Sequence, residues 1–274
     1  MTERGAASTG IPMRWPSRRR QAIPRLDLPA GARMTAMARL PDGLGPTRRT
    51  LHRVAAHILG RGRHRVTGRF GLRATPGGFG TPAFGDAPDV LRVSGVSLVC
   101  ERGAEVRVVP VAGSTMAQLA TVARLDLSGA FTVGAETPEL GSVDEPLMLD
   151  GSAAEVLADW FAAGSRALDR LQSELPADAD PATVQLWPEH FDLGTDVPVG
   201  PGRRTNLGVS AGDAGTEEPY LYVGPWGDER PGPPAFWNAP FGAVRRLRDL
   251  SGPPEEEAVA FFLEGVARLR DRPR

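Results

Sequence analysis

The chain has 274 residues, 41% hydrophobic and 24% charged, with a formal net charge of −1. That is room for one large domain or two small ones, and no global field points to nucleic acid or a membrane surface. All 32 basic residues are arginine, which excludes Schiff-base, general-base and P-loop lysine chemistry, and the single cysteine, Cys100, excludes an internal disulfide.

Residues 1–45 are punctuated by Pro12, Pro16, Pro24, Pro29 and Pro41 and carry the cluster Arg18, Arg19 and Arg20. They read as a disordered, solvated extension rather than a nucleic-acid arm, with Met34 and Met37 as alternative starts. No apolar run is long enough to span a bilayer and no apolar h-region follows the first arginines, so a soluble, cytoplasmic protein is expected. Residues 46–274 are expected to be globular, with 46–175 and 184–274 as candidate subdomains.

From Thr47 to Leu59, apolar residues recur at helical spacing (Leu51, Val54, Ala55, Ile58, Leu59), predicting a helix capped by Thr47 and ended by Gly60. His52 and His57, five residues apart, are poorly spaced for one helical face and read as surface or boundary residues. Between Arg65 and Val111 the pattern changes to short period-two runs, including VTGRFGLRAT, DVLRVSG, VSLVCERG and AEVRVVPV. These predict an antiparallel meander with turns at Ser94-Gly95 and Arg102-Gly103, and they place Cys100 on a strand as a buried structural thiol. The loop holding Gly77, Gly78 and Gly80 lacks the lysine and spacing of a phosphate loop. It reads as a hairpin whose Phe79 and Phe84 pack onto a neighbour.

A helix is expected from Ser114, then a strand within LDLSGAFTVG. The acidic stretch 136–150 (Glu136, Glu139, Asp144, Glu145, Asp150) lacks an EF-hand register and reads as a solvated linker. The best-specified helix covers 153–175. Ser152 and Glu155 form a capping box, Val156, Leu157, Trp160, Phe161, Ala167, Leu168 and Leu171 form an apolar stripe, and Pro176 is the stop. A last helix over 254–270 has acids at its start and arginines at its end, as the helix dipole favours. The expected fold class is α+β, with antiparallel strands packed by the long central helix and the C-terminal helix. Strands followed by a helix occur twice, which raises an internal duplication.

The stretch 184–243 concentrates the aromatic and polar residues: Trp187, Trp226, Trp237, both tyrosines, both asparagines and His190. Pro188 inside an apparent strand implies an edge or a bulge. On one extended register His190 and Asp192 share a face and Glu189 points away, unless the proline shifts the alternation. An imidazole beside carboxylates is the equipment of general acid–base catalysis, so His190, Asp192 and Glu189 are the candidate catalytic residues. Trp187, Tyr220, Tyr222, Trp226, Trp237 and Asn238 are the candidate ligand-binding residues. No second histidine or cysteine stands at ligand spacing, so the metal signal is weak, no G-x-S-x-G elbow surrounds Ser210, and the sequence leaves any cofactor unknown. The plainer alternative is that these aromatics are cross-strand packing pairs.

The motifs WPEHFD, SAGD, EPYLYVGPW and FWNAPFGA, with GRFGLRATPGGFGTP more loosely, resemble those of a family of uncharacterised actinobacterial proteins. The resemblance covers Thr47 to the C-terminal helix. It implies no activity, cofactor or partner, and it leaves the first forty or so residues outside the shared region.

Three functions follow. The first is a small-molecule-binding protein with an aromatic-lined pocket. The second is a hydrolase-like or metal-assisted enzyme using His190, Asp192 and Glu189, with Asp213 or Glu218 as further carboxylates. The third is a structural partner in an assembly, with the aromatic patch as the contact.

Overall fold

A computed structural model describes residues 40–271. The expected N-terminal extension and its alternative starts therefore lie, but for a few residues, outside the described residues.

The chain is an α+β fold of two five-stranded antiparallel sheets. Helix α1 (Leu44–Val54) runs through a π-helical turn (Ala55–Gly60) into α2 (Arg61–Thr67). Strands β1 (Arg73–Thr75), β2 (Gly78–Gly80), β3 (Asp89–Ser94), β4 (Ser97–Arg102) and β5 (Glu105–Pro110) form the first sheet in chain order. Helices α3 (Met116–Ala123) and α4 (Gly151–Glu174) follow. The second sheet is β6 (Gln185–Trp187), β7 (Asp192–Gly200), β8 (Arg203–Ser210), β9 (Tyr220–Pro225) and β10 (Ala243–Arg246), again in chain order, and α5 (Pro254–Arg270) closes the fold. The order helix, five strands, helix thus occurs twice. The sheets meet where Leu72 and Leu186 exchange two backbone hydrogen bonds of 2.7 and 2.9 Å.

Two-residue turns join β3 to β4 and β4 to β5. Gly95 and Gly103 have φ of 56° and 57°. A positive φ at the first central position is the demand of a II′ hairpin turn, which glycine meets without strain. Cys100 is buried on β4, and burial pushes its thiol up to about 11.

Helix α4 is the spine between the sheets. Leu157, Trp160, Phe161, Leu168 and Leu171 are fully buried in one continuous apolar cluster that takes residues from both sheets. Trp160 Nε1 donates to the Ser210 carbonyl at 2.8 Å, satisfying the indole inside the core. Gly164 and Gly265 let α4 and α5 lie close on the second sheet. A Cβ at Gly164 would stand 2.4 Å from Val209, and one at Gly265 would stand 2.8 Å from Val223.

Several local expectations change. Thr47 lies inside α1, buried, and its hydroxyl accepts from the Asp150 N–H at 2.9 Å instead of capping the helix. Gly60 does not end the helix. It seats Pro188, whose Cγ would be 3.1 Å from a Cβ there, and the actual stop is Gly68 at φ 68°. The run VTGRF therefore closes a helix rather than opening a strand. His57 is buried, not superficial, with Nε2 2.7 Å from the Pro138 carbonyl oxygen. The capping box of α3 belongs to Thr115 and Gln118, and α4 is capped by Asp150, which accepts from the Ala153 N–H at 2.8 Å. No strand forms between Leu125 and Gly134.

Candidate functional site

The core face of the second sheet carries Leu193, Val197, Leu207, Val209, Leu221 and Val223. By strand alternation the opposite face carries Asp192, Gly194 and Asp196 on β7, Asn206 and Gly208 on β8, and Tyr220 and Tyr222 on β9. Gly194, Gly208 and Tyr222 lie in one row across the three strands. A Cβ at either glycine would come within 2.5 Å of Tyr222 Oη. The glycines therefore clear a flat floor over which the tyrosine ring lies, and its hydroxyl donates to Asp192 Oδ2.

The segment before β7 is a turn and not a bulged strand. Trp187 pairs with Asp192, and the four intervening residues close through the Phe191 N–H donating to the Trp187 carbonyl at 2.7 Å. Pro188 opens this turn, where its fixed φ and missing donor cost nothing. Phe191 takes the left-handed conformation at φ 55°, unusual for a bulky residue. Packing holds it there. Its ring is buried, stacked on His52 at 5.4 Å and edge-to-face with Phe79 at 5.1 Å and Phe161 at 5.3 Å. His52 Nε2 lies 3.0 Å from the Glu189 carbonyl oxygen. Burial lowers the His52 imidazole to about 4, so it is neutral and donates that hydrogen bond.

This turn overturns the expected alternation. Glu189 does not face away: it is 1% exposed and lines the same cavity as His190 and Asp192. The cavity, about 340 Å³, has Trp187 and Trp226 among its walls and also takes in Asp196, Asn206 and Tyr222. Trp226 Nε1 donates to Asn206 Oδ1 at 2.7 Å, and the Arg204 guanidinium lies 6.0 Å from the Trp226 ring centroid while its Nε donates to Asp196 Oδ1.

The acidic stretch expected to be a plain solvated linker contributes to the site. Glu136 Oε2 is 2.9 Å from His190 Nδ1, and a Cβ on Gly134 would press against Glu189 Cγ at 3.2 Å. Burial works against a charged His190. Asp192, the Glu136 hydrogen bond and Glu189 nonetheless hold its imidazole above the ordinary range. Burial first, then Asp192 and Glu136, lifts Glu189 to about 7 against the opposing pull of His190. Burial raises Asp192 as well, against the Tyr222 hydrogen bond and His190. Burial also raises Asp196, opposed by Arg204.

Three buried carboxylate oxygens have no hydrogen-bond partner: Glu189 Oε2, Asp192 Oδ1 and Asp196 Oδ2. All belong to residues lining this cavity. Among the described residues no three His, Cys, Asp or Glu side chains form a group that could hold a metal ion.

The remaining predicted residues are placed elsewhere. Tyr220 lies beside Tyr222, with ring centroids 6.4 Å apart, but its hydroxyl turns to Asp213 at 2.5 Å and it does not line the cavity. Trp237 packs on Phe236 at 4.8 Å and donates to the Pro231 carbonyl at 2.8 Å. Asn238 exchanges hydrogen bonds with the Val244 backbone at 2.8 and 3.1 Å, fixing the entry to β10. Asp213 organises a turn by accepting from the Gly215 and Thr216 N–H groups at 2.7 Å, and Glu218 is buried against Arg248 at 2.6 Å. Glu136, Asp196, Asn206 and the two floor glycines were not among the predicted site residues. Only the alternation of β7, which puts Asp196 on the face of Asp192, could have flagged one of them.

No family model, no curated protein and no solved structure matches the chain. Among the described residues no helix is long and apolar enough to cross a membrane.

Proposed function

We propose that this chain is a small-molecule-binding protein whose ligand sits in the cavity on the outer face of the second sheet. The observation that carries this reading is the set of unpartnered, buried oxygens on Glu189, Asp192 and Asp196, all on the cavity's lining residues. A buried acceptor without a partner costs roughly 1–3 kcal/mol. Three on residues around one cavity mark where a ligand's donors would relieve that cost once the carboxyl groups turn toward them. A volume of about 340 Å³ between indole walls suits a metabolite-sized molecule. A soluble, cytoplasmic setting belongs to the same proposal.

The test is a thermal-shift screen of a metabolite panel, since a ligand that binds only the folded state raises its stability. Thr183→Trp provides the control. Thr183 is exposed on the cavity's lining, so an indole there fills the space without disturbing the core. A stabilising compound whose effect disappears in Thr183→Trp is the expected result. A panel with no such compound removes the proposal.

A hydrolase-like reading has one observation in its favour. Glu189, near neutrality at about 7, shares the cavity with a His190 paired to Glu136, which is an acid and a base in one space. Turnover of chromogenic esters or glycosides that vanishes in Glu189→Gln would establish it.

A further inference from the structure

We propose that the ligand of this cavity is an elongated organic dication, an α,ω-diamine or polyamine, held by Asp192 and Glu189 at one end and by Asp196 at the other. This rests on the reading of the cavity as a binding site and adds its chemical class and length.

The first argument is charge. Glu189, Asp192, Asp196 and the adjoining Glu136 face one guanidinium, Arg204, and one imidazole, His190. With every group ionised, two negative charges remain at the Asp192 end, where Glu189, Asp192 and Glu136 face His190, while Arg204 balances Asp196 at the other, and an anionic ligand would add to them. The unpartnered atoms are carboxyl oxygens, acceptors in their ionised form, which favours a ligand that brings donors. Ammonium groups supply donors and charge together.

The second argument is spacing. Asp192 and Asp196 lie four residues apart on β7 and so share a face, with Cα atoms ~13 Å apart. Trp187 pairs with Asp192 at one end, whereas Trp226 at the other end is hydrogen-bonded to Asn206, the register partner of Asp196. At the Asp192 end this combination of acid and indole is open to an organic cation, whereas at the Asp196 end Arg204 shares it, so a second ammonium would take the unpartnered Asp196 Oδ2 beside the guanidinium. The protein's own Arg204 already shows the mode, with its Nε on Asp196 and its guanidinium over Trp226. Between the ends the Tyr222 ring covers Gly194 and Gly208, so the surface offered to a methylene chain there is the tyrosine ring. An eight-carbon diamine, with bonds of ~1.5 Å, spans a similar distance when extended.

The test is calorimetric titration of the full chain with 1,8-diaminooctane, spermidine, 1,4-diaminobutane, octylamine and 1,8-octanediol in 0.15 M salt. The long diamine and spermidine should bind at least ~10-fold tighter than the short diamine or the monoamine, as a second engaged charge predicts, and the diol should not bind. Asp196→Asn should bring 1,8-diaminooctane down to the affinity of octylamine. Asp192→Asn provides the same check from the opposite end should loss of the Arg204 partner unfold the first variant. Affinity should also rise between pH 6 and pH 8. In that range Glu189 loses its proton, His190, Asp192, Glu136 and the neutral His52 being the other groups facing it. Equal affinity for all amines whatever their length, unchanged by either substitution, would overturn the proposal in favour of unspecific surface attraction. Absence of amine binding while a neutral or anionic metabolite stabilises the wild type but not Thr183→Trp would overturn it too, and would leave the pocket reading intact. Absence of any Thr183→Trp-sensitive ligand removes both.

Discussion

Glu189 is held where a carboxylate is costly, and the cost has a sign that can be measured. Its carboxyl is lifted to about 7 from an ordinary value of 4.5. Between those values the folded state binds a proton that the unfolded state has released. The stabilising contribution is therefore complete below about pH 4.5 and is lost as pH rises through about 7. Glu189→Gln keeps the shape and cannot ionise. It should match the wild type in stability near pH 4 and exceed it at pH 8, on the order of 1–3 kcal/mol, with the gap opening between. Chemical denaturation at a series of pH values measures this, and a gap independent of pH would place the strain elsewhere. A residue that weakens the fold when ionised fits retention for binding rather than for stability. Its position could not be read from the chain. Strand alternation put Glu189 on the wrong side, because Pro188 starts a turn and Phe191 takes a left-handed conformation that only its aromatic neighbours hold in place.

At the scale of elements, regular patterns were legible and tight contacts were not. The stripe of Leu157, Trp160, Phe161, Leu168 and Leu171 predicted α4 as the spine, and the period-two runs with Gly95 and Gly103 predicted the meander of the first sheet. The π-helical turn left no trace in the apolar spacing, and Gly60 read as a stop because glycine usually is one. Glu136 reaches His190 across 54 residues of chain, a pairing created by tertiary packing alone. Gly164 is another silent position, since in the sequence it is only a weak spot in a helix. An alanine there would gain ~1 kcal/mol of helix propensity. Its Cβ, however, would stand 2.4 Å from Val209, a β-branched side chain with little freedom to turn aside. Overpacking costs ~1–3 kcal/mol, so Gly164→Ala should destabilise the protein on balance. A lower midpoint with an unchanged denaturant slope is the expected observation, and a raised midpoint would mean that α4 can lift off β8.

For the whole molecule, the question is whether two sheets in one chain make one folding unit. The boundary expected near residues 175–183 follows a break in composition between α4 and β6. Yet α4 contributes to a core cluster that holds Leu91 and Leu98 of the first sheet together with Leu207 and Leu221 of the second. The sheets are also stitched edge to edge by Leu72 and Leu186, both buried. If the core is continuous in energy as it is in space, damage at the seam must be felt equally on both sides. Leu186→Ala keeps the two backbone hydrogen bonds and removes the buried side chain, a loss of ~2–5 kcal/mol. Amide exchange should then accelerate by the same factor in β3 and β4, which never touch Leu186 in register, as in β7 and β8. Denaturant unfolding should remain a single transition at a lower midpoint. Acceleration confined to β7 and β8, or a second transition left at its original midpoint, would show that the repeated order of helix and five strands is also a division into two units. The cavity's lining, all from 182–226, would then lie in the second unit, with Glu136 of the first reaching His190 across the boundary.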